Sequence, residues 1–115
     1  MSKVVEALLE NAYQDSVLLQ GNDEKGDVFS IPRQVDFFFY APTKEKGELV
    51  AGFINDNCYG NAIYYESEQS HCIRVEIHTP IEQNIITSIS GLMTCIGEIY
   101  GVEYDGWGCP LQRGT

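Results

Sequence analysis

The residues whose chemistry could hold a metal or attack a substrate are four cysteines, Cys58, Cys72, Cys95 and Cys109, and two histidines, His71 and His78. The cysteines stand 14, 23 and 14 positions apart with no C-x-x-C pair, which argues against a zinc ribbon, a thioredoxin motif or a compact disulfide framework. His71 and Cys72 are neighbours in a stretch that alternates like a strand, so their side chains point to opposite faces and cannot share one ion without a bulge. Free thiols in a reducing compartment are the expectation. Nucleophilic catalysis and phosphate transfer need other patterns, and the chain has no G-x-S-x-G, no phosphate-cradling glycine loop and no H-E-x-x-H. Glu76 with Glu103 or Asp105 could approach across strands, but paired carboxylates do acid-base work only where their surroundings perturb them, and these read as solvated. The sequence therefore predicts no enzyme, no cofactor and no metal.

A second kind of chemistry is recognition. Val102-Glu103-Tyr104-Asp105-Gly106-Trp107-Gly108 holds the chain's one tryptophan between two glycines. Two readings are open: Asp105-Gly106 is a turn that folds Trp107 back over the end of the core, or Tyr104 and Trp107 anchor a partner with Asp105 beside them.

The elements that must position these residues follow from periodicity. Val4, Val5, Leu8, Leu9 and Ala12 recur at helical spacing, predicting a short helix that Val17–Leu19 prolongs. The glycine-bounded, charged stretch 21–27 reads as a linker, so residues 1–20 form an N-terminal helical segment, 28–109 the main domain and 110–115 a tail. A first strand covers residues 33–40 with Val35, Phe37 and Phe39 on one face. Thr43 caps a helix over residues 43–55, and residues 61–66 form a second strand. The turn 67–70 leads into the clearest alternation, with Ile73, Val75 and Ile77 on one side and Cys72, Arg74, Glu76 and His78 on the other. Thr79-Pro80-Ile81-Glu82 has the form of a capping box with proline at the first helical position. The helix it predicts buries Ile81, Ile85, Ile89, Leu92, Ile96 and Ile99 and stops at Gly101, before a short last strand from Val102. Two strand-helix-strand units joined by a hairpin make a ferredoxin-like βαββαβ α+β sandwich, with an antiparallel four-stranded sheet, two helices on one face and an extra N-terminal helix. Its other face would carry Phe38, Tyr40, Arg74 and His78, an alternative binding surface.

Length and charge limit what such a domain meets. The 115 residues carry 7 Lys and Arg against 17 Asp and Glu, a formal net charge of -10. The basic residues are scattered, which argues against direct binding of nucleic acid. The same charge favours encounter with a basic protein surface. Neither a membrane-spanning apolar run nor a signal-peptide pattern is present, so a soluble, cytoplasmic protein is expected.

The Tyr104-Asp105-Gly106-Trp107-Gly108 segment resembles the end of the regulator of ribonuclease E activity B (RraB) family. So does the order of a strand at Gln34–Phe39, a strand at Cys72–Ile77 and Thr79-Pro80 leading into a long helix; the resemblance runs from about Val28 to Gly108. It implies a small acidic bacterial inhibitor that binds ribonuclease E, chiefly its non-catalytic scaffold half with arginine-rich segments, and modulates RNA degradation. The chain departs from the family in ending with Cys109-Pro110-Leu111-Gln112-Arg113-Gly114-Thr115 where typical members have an acidic tail, and in its four cysteines. The alternative is an acidic immunity-type or general binding module that neutralises another basic protein. A homodimer through the open sheet face is compatible with either.

Overall fold

Residues 2–114 are described by a computed structural model; Met1 and Thr115, the outermost residues of the expected N-terminal segment and tail, lie outside the described residues. The elements are α1 (Lys3–Glu24), β1 (Arg33–Ala41), α2 (Lys44–Asp56), β2 (Asn61–Ser67), β3 (Ser70–Thr79), α3 (Gln83–Tyr100) and β4 (Glu103–Gly108). The strands form one antiparallel sheet in the order β2-β3-β1-β4. This is the ferredoxin-like α+β arrangement that the alternation predicts, with α1 added.

The pleat sorts the side chains. Phe37 stands opposite Val75 and Phe39 opposite Ile73, and all four are fully buried with Val35 beneath α2 and α3. Val50 and Ile54 of α2 and Ile86 and Met93 of α3 close that core. The alternate residues turn to the other face, where Phe38 pairs with Arg74 and Gln34 with His78. Helix α2 begins as predicted, since Thr43 Oγ1 accepts from the Lys46 amide at 3.1 Å.

Three local expectations are corrected. Helix α1 is 22 residues long and passes through Gly21 to Glu24, into the stretch read as a linker. Its inner side packs on α3, and such tertiary contact sustains helix where propensity is weak. The capping box does not form. Thr79 is the last residue of β3, paired with Arg33, and its hydroxyl donates to the Pro80 carbonyl at 2.9 Å. The Ile81 amide donates to the Phe29 carbonyl at 2.9 Å, so α3 starts only at Gln83, with Glu82 at its N-cap making no side-chain bond. Finally, α3 is rotated relative to its isoleucine stripe. Its buried face carries Ile86, Ser90, Met93, Thr94, Ile96 and Gly97, whereas Ile85, Ile89 and Leu92 are half-buried and Ile99 is 75% exposed. The reason is that α3 lies against two partners, the sheet on one side and α1 on the next, and α1 takes small and polar neighbours.

Where α1 ends, Arg33 ties the chain together. Its guanidinium meets Asp27 Oδ2 at 2.8 Å and donates to the carbonyls of Val28, Ile31 and Pro110. The Val28 amide donates to the Gln112 carbonyl at 2.7 Å, so the segment after β4 is strapped to the segment after α1.

Candidate functional site

Tyr104 and Trp107 are three residues apart, and in a regular strand they would point to opposite faces. A bulge in β4 changes this. Trp107 stands opposite Phe37 and Tyr104 opposite Phe39, leaving Asp105 and Gly106 together across from Phe38. Gly106 has φ +91°, a backbone conformation that a side chain resists. Both aromatic rings therefore point to the helix side, and the Tyr104 ring lies 5.3 Å from that of Phe39.

There they meet an acid that sequence reasoning did not single out. Asp15 of α1 is only 3% exposed, and the indole Nε1 of Trp107 donates to its Oδ1 at 2.9 Å. Asn11, one helical turn earlier, donates to Asp15 Oδ2 at 3.3 Å. The Ser90 hydroxyl of α3 lies 3.2 Å from Asp15 Oδ1, 2.9 Å from Asn11 Oδ1 and 2.8 Å from the Tyr104 hydroxyl. Ser90 has a single proton, which it directs to the carboxylate and amide oxygens, so Tyr104 donates to Ser90. Burial raises the Asp15 carboxyl above its ordinary value, opposed by these hydrogen bonds from Trp107, Ser90 and Asn11. Burial likewise raises the Tyr104 phenol, with Asp15 and Asp105 adding to it against the Ser90 bond. Three elements, α1, α3 and β4, are joined through the Asp15 carboxylate and the Ser90 hydroxyl. Trp107, at 5% exposure, is part of the core and holds α1 in place. The turn expected at Asp105-Gly106 is instead a bulge within β4, and Trp107 lies in the core beside it.

The network forms one wall of a groove of about 880 Å³ between α1, the end of α3 and β4. Every residue from 101 to 107 lines it, those of both strand faces alike, so the groove follows the margin of β4 and not one of its faces. Among the described residues the margin is free: β4 is the last strand of the sheet and pairs only with β1. Gly97 lets α3 close the far end, because a Cβ there would sit 2.8 Å from the Val102 carbonyl oxygen. The lining includes Glu10, Asp15, Glu98, Glu103 and Asp105, with Lys3 as its one cation among the described residues, 3.9 Å from Glu98. Asp105 is exposed at the rim, while Tyr104 and Trp107 form part of the wall.

The alternative surface is the sheet face away from the helices. The structure places Phe38 directly opposite Arg74, with Tyr40 at 42% exposure and His78 exposed towards one end. Ile63 of β2 pairs with Arg74 on its other side. The Arg74 guanidinium lies 5.8 Å from the centre of the Tyr65 ring and donates to Glu76 at 3.2 Å. These four residues share a face, and none of them touches the Asp15 network.

Among the described residues no group of three or more His, Cys, Asp or Glu side chains is arranged to hold a metal ion, and the four cysteines are free. No helix among them is long and apolar enough to cross a membrane.

No curated protein matches the chain. A family model described as "Regulator of ribonuclease activity B" matches residues 12–109, taking in the second half of α1 with Asp15, the whole sheet, and Trp107. With most of its length matched, this chain belongs to the RraB family, whose description is that of regulators of ribonuclease activity.

Proposed function

We propose that this protein regulates RNA degradation by binding ribonuclease E and inhibiting it, without catalysing a reaction itself. The observation that carries this reading is the family match over residues 12–109. The net charge of -10 supports a basic protein partner, and the arginine-rich scaffold half of ribonuclease E, which the resemblance implies, has the complementary sign. Attraction between such surfaces speeds encounter and weakens as salt screens it. Inhibition then follows from occupying the scaffold and needs no cofactor or metal.

The test uses purified ribonuclease E, whole and without its scaffold half. The expected result is retention of the whole enzyme at low salt, loss at high salt, slower cleavage of an RNA substrate, and neither effect on the truncated enzyme. Absence of retention at low salt overturns the reading. Retention of a different basic protein from the same cells, with ribonuclease E present but unbound, favours a module that neutralises another partner.

A further inference from the structure

The free margin of β4 and the groove beside it carry an inference about how a partner is held. An unpaired strand edge offers a row of backbone N–H and C=O groups, and natural proteins usually cover or blunt it. Here it is neither paired nor filled, because the Asp15 network holds α1 beside the strand and the groove of about 880 Å³ runs between them. A helix and a strand edge bounding a groove are the geometry in which an extended peptide adds to a sheet, its main chain bonding to the edge and its side chains alternating between the walls. The six residues of β4 offer about 20 Å of such an edge at roughly 3.3 Å per residue.

Charge selects the occupant. Glu10 on α1 and Glu98 on α3 border the opening, Glu103 (opposite Tyr40) and Asp105 stand on the same strand margin towards the open face, and Lys3, the one lysine in the lining among the described residues, is already beside Glu98. A second copy of this chain pairing β4 with β4 would bring Glu103 and Asp105 towards their own counterparts, which like-charge repulsion opposes. Nucleic acid is repelled by the same residues. We infer that the groove between α1 and β4 takes an extended, lysine- or arginine-rich segment of a partner protein as a fifth strand, alongside β4. This rests on the reading that the chain binds a basic protein, and adds where and in what form the partner sits.

The test is a titration of the full chain with a short synthetic peptide alternating arginine and valine, followed by backbone amide NMR. The expected result is a set of shifts along residues 101–107 and at Glu10 and Glu98, slower hydrogen exchange at outward β4 amides, and binding that weakens with salt. The same peptide N-methylated at alternate residues cannot pair with the edge and should bind about tenfold more weakly. The Glu10→Lys/Glu98→Lys double variant, with circular dichroism unchanged, should also bind about tenfold more weakly. Shifts centred on Phe38, Tyr40 and Arg74, equal affinity for the methylated peptide, or self-association through β4 in place of peptide binding would each overturn the proposal. The double variant also separates this proposal from the reading it rests on. If ribonuclease E holds wild type and the variant equally, the groove assignment falls and the regulator stands. If it holds neither while the peptide behaves as expected, the reverse is true.

Discussion

On the open sheet face the central cation is already paired within the molecule. Arg74 reaches Glu76 and lies over Tyr65, Asn61 donates to Glu76, and Gln34 donates to Asp36. Along the groove, Glu10 makes no ion pair among the described residues, nor do Glu103 and Asp105 on the margin that the groove shares with the open face, and Glu98 has only Lys3, whose side chain is almost fully exposed. The two surfaces share their ingredients, aromatic rings and acids, but the first holds its cation in a partly buried pair at 3.2 Å, whereas the groove has an almost fully exposed lysine 3.9 Å from one of its acids. A basic partner must compete with Arg74 on the open face and meets at the groove acids that an exposed Lys3 opposes only in part. Where acidic residues recur on several surfaces, how closely an internal cation is held is what distinguishes one from another.

Four experiments break or sharpen this contrast. The largest effect is expected from Asp15→Ala, which strips the groove of the acceptor that Trp107 and Ser90 share. Leaving these donors buried and unpaired should cost about 2 to 4 kcal/mol in chemical denaturation, with the sheet face unaffected. A near-neutral result would mean that the groove is not built by this network. Next comes Gly97→Val, whose Cβ is aimed at a backbone oxygen that cannot swing away. Thermal and denaturant unfolding should register a loss of about 1 to 3 kcal/mol.

The third experiment reads pH. Burial holds the Asp15 carboxyl above its ordinary 3.8, so the folded chain takes up this proton at higher pH than the unfolded one. The stability that the group contributes falls as pH rises from 3.8 through the raised value, and is level above it. Wild type should therefore gain on Asp15→Asn as the pH is lowered through that window; a constant difference would show that the carboxyl is not perturbed. The smallest effect is expected from Arg74→Ala, whose ion pair is partly exposed and screened: under about 1 kcal/mol by denaturation. A larger loss would show that the open face is held together by its internal pairs more firmly than its exposure suggests.

The fold was legible because strands advertise their burial at a period of two. Val35, Phe37 and Phe39, or Ile73, Val75 and Ile77, need no knowledge of the rest of the chain to be assigned a face. Helix α3 misled for the opposite reason: its isoleucine spacing marks an apolar side, but which side is buried depends on α1, and α1 meets it through Asp15 and Ser90 where hydrophobic periodicity looks for leucine. Thr79 has the right neighbours for a cap, yet its backbone is taken by pairing with Arg33. At the site, Tyr104, Asp105 and Trp107 could be picked out by composition. Their carboxylate partner lies 92 positions before Trp107, and nothing local connects the two. The signal that was present is an acid at an inner position of α1, one turn after Asn11 and one before Leu19. The groove has no signature at all, since it is the space left between elements.

The indole bonded to Asp15 has a practical corollary. Trp107 is the sole tryptophan of the chain, so all intrinsic emission excited at the red edge of protein absorption arises from one buried ring in contact with α1. Detachment of that helix would expose the ring to water and shift its emission to longer wavelength, whereas unfolding confined to the β2–β3 hairpin would leave it dark to the change. The molecule thus carries an unlabelled optical gauge of whether its groove is assembled, readable in the presence of any partner that lacks tryptophan.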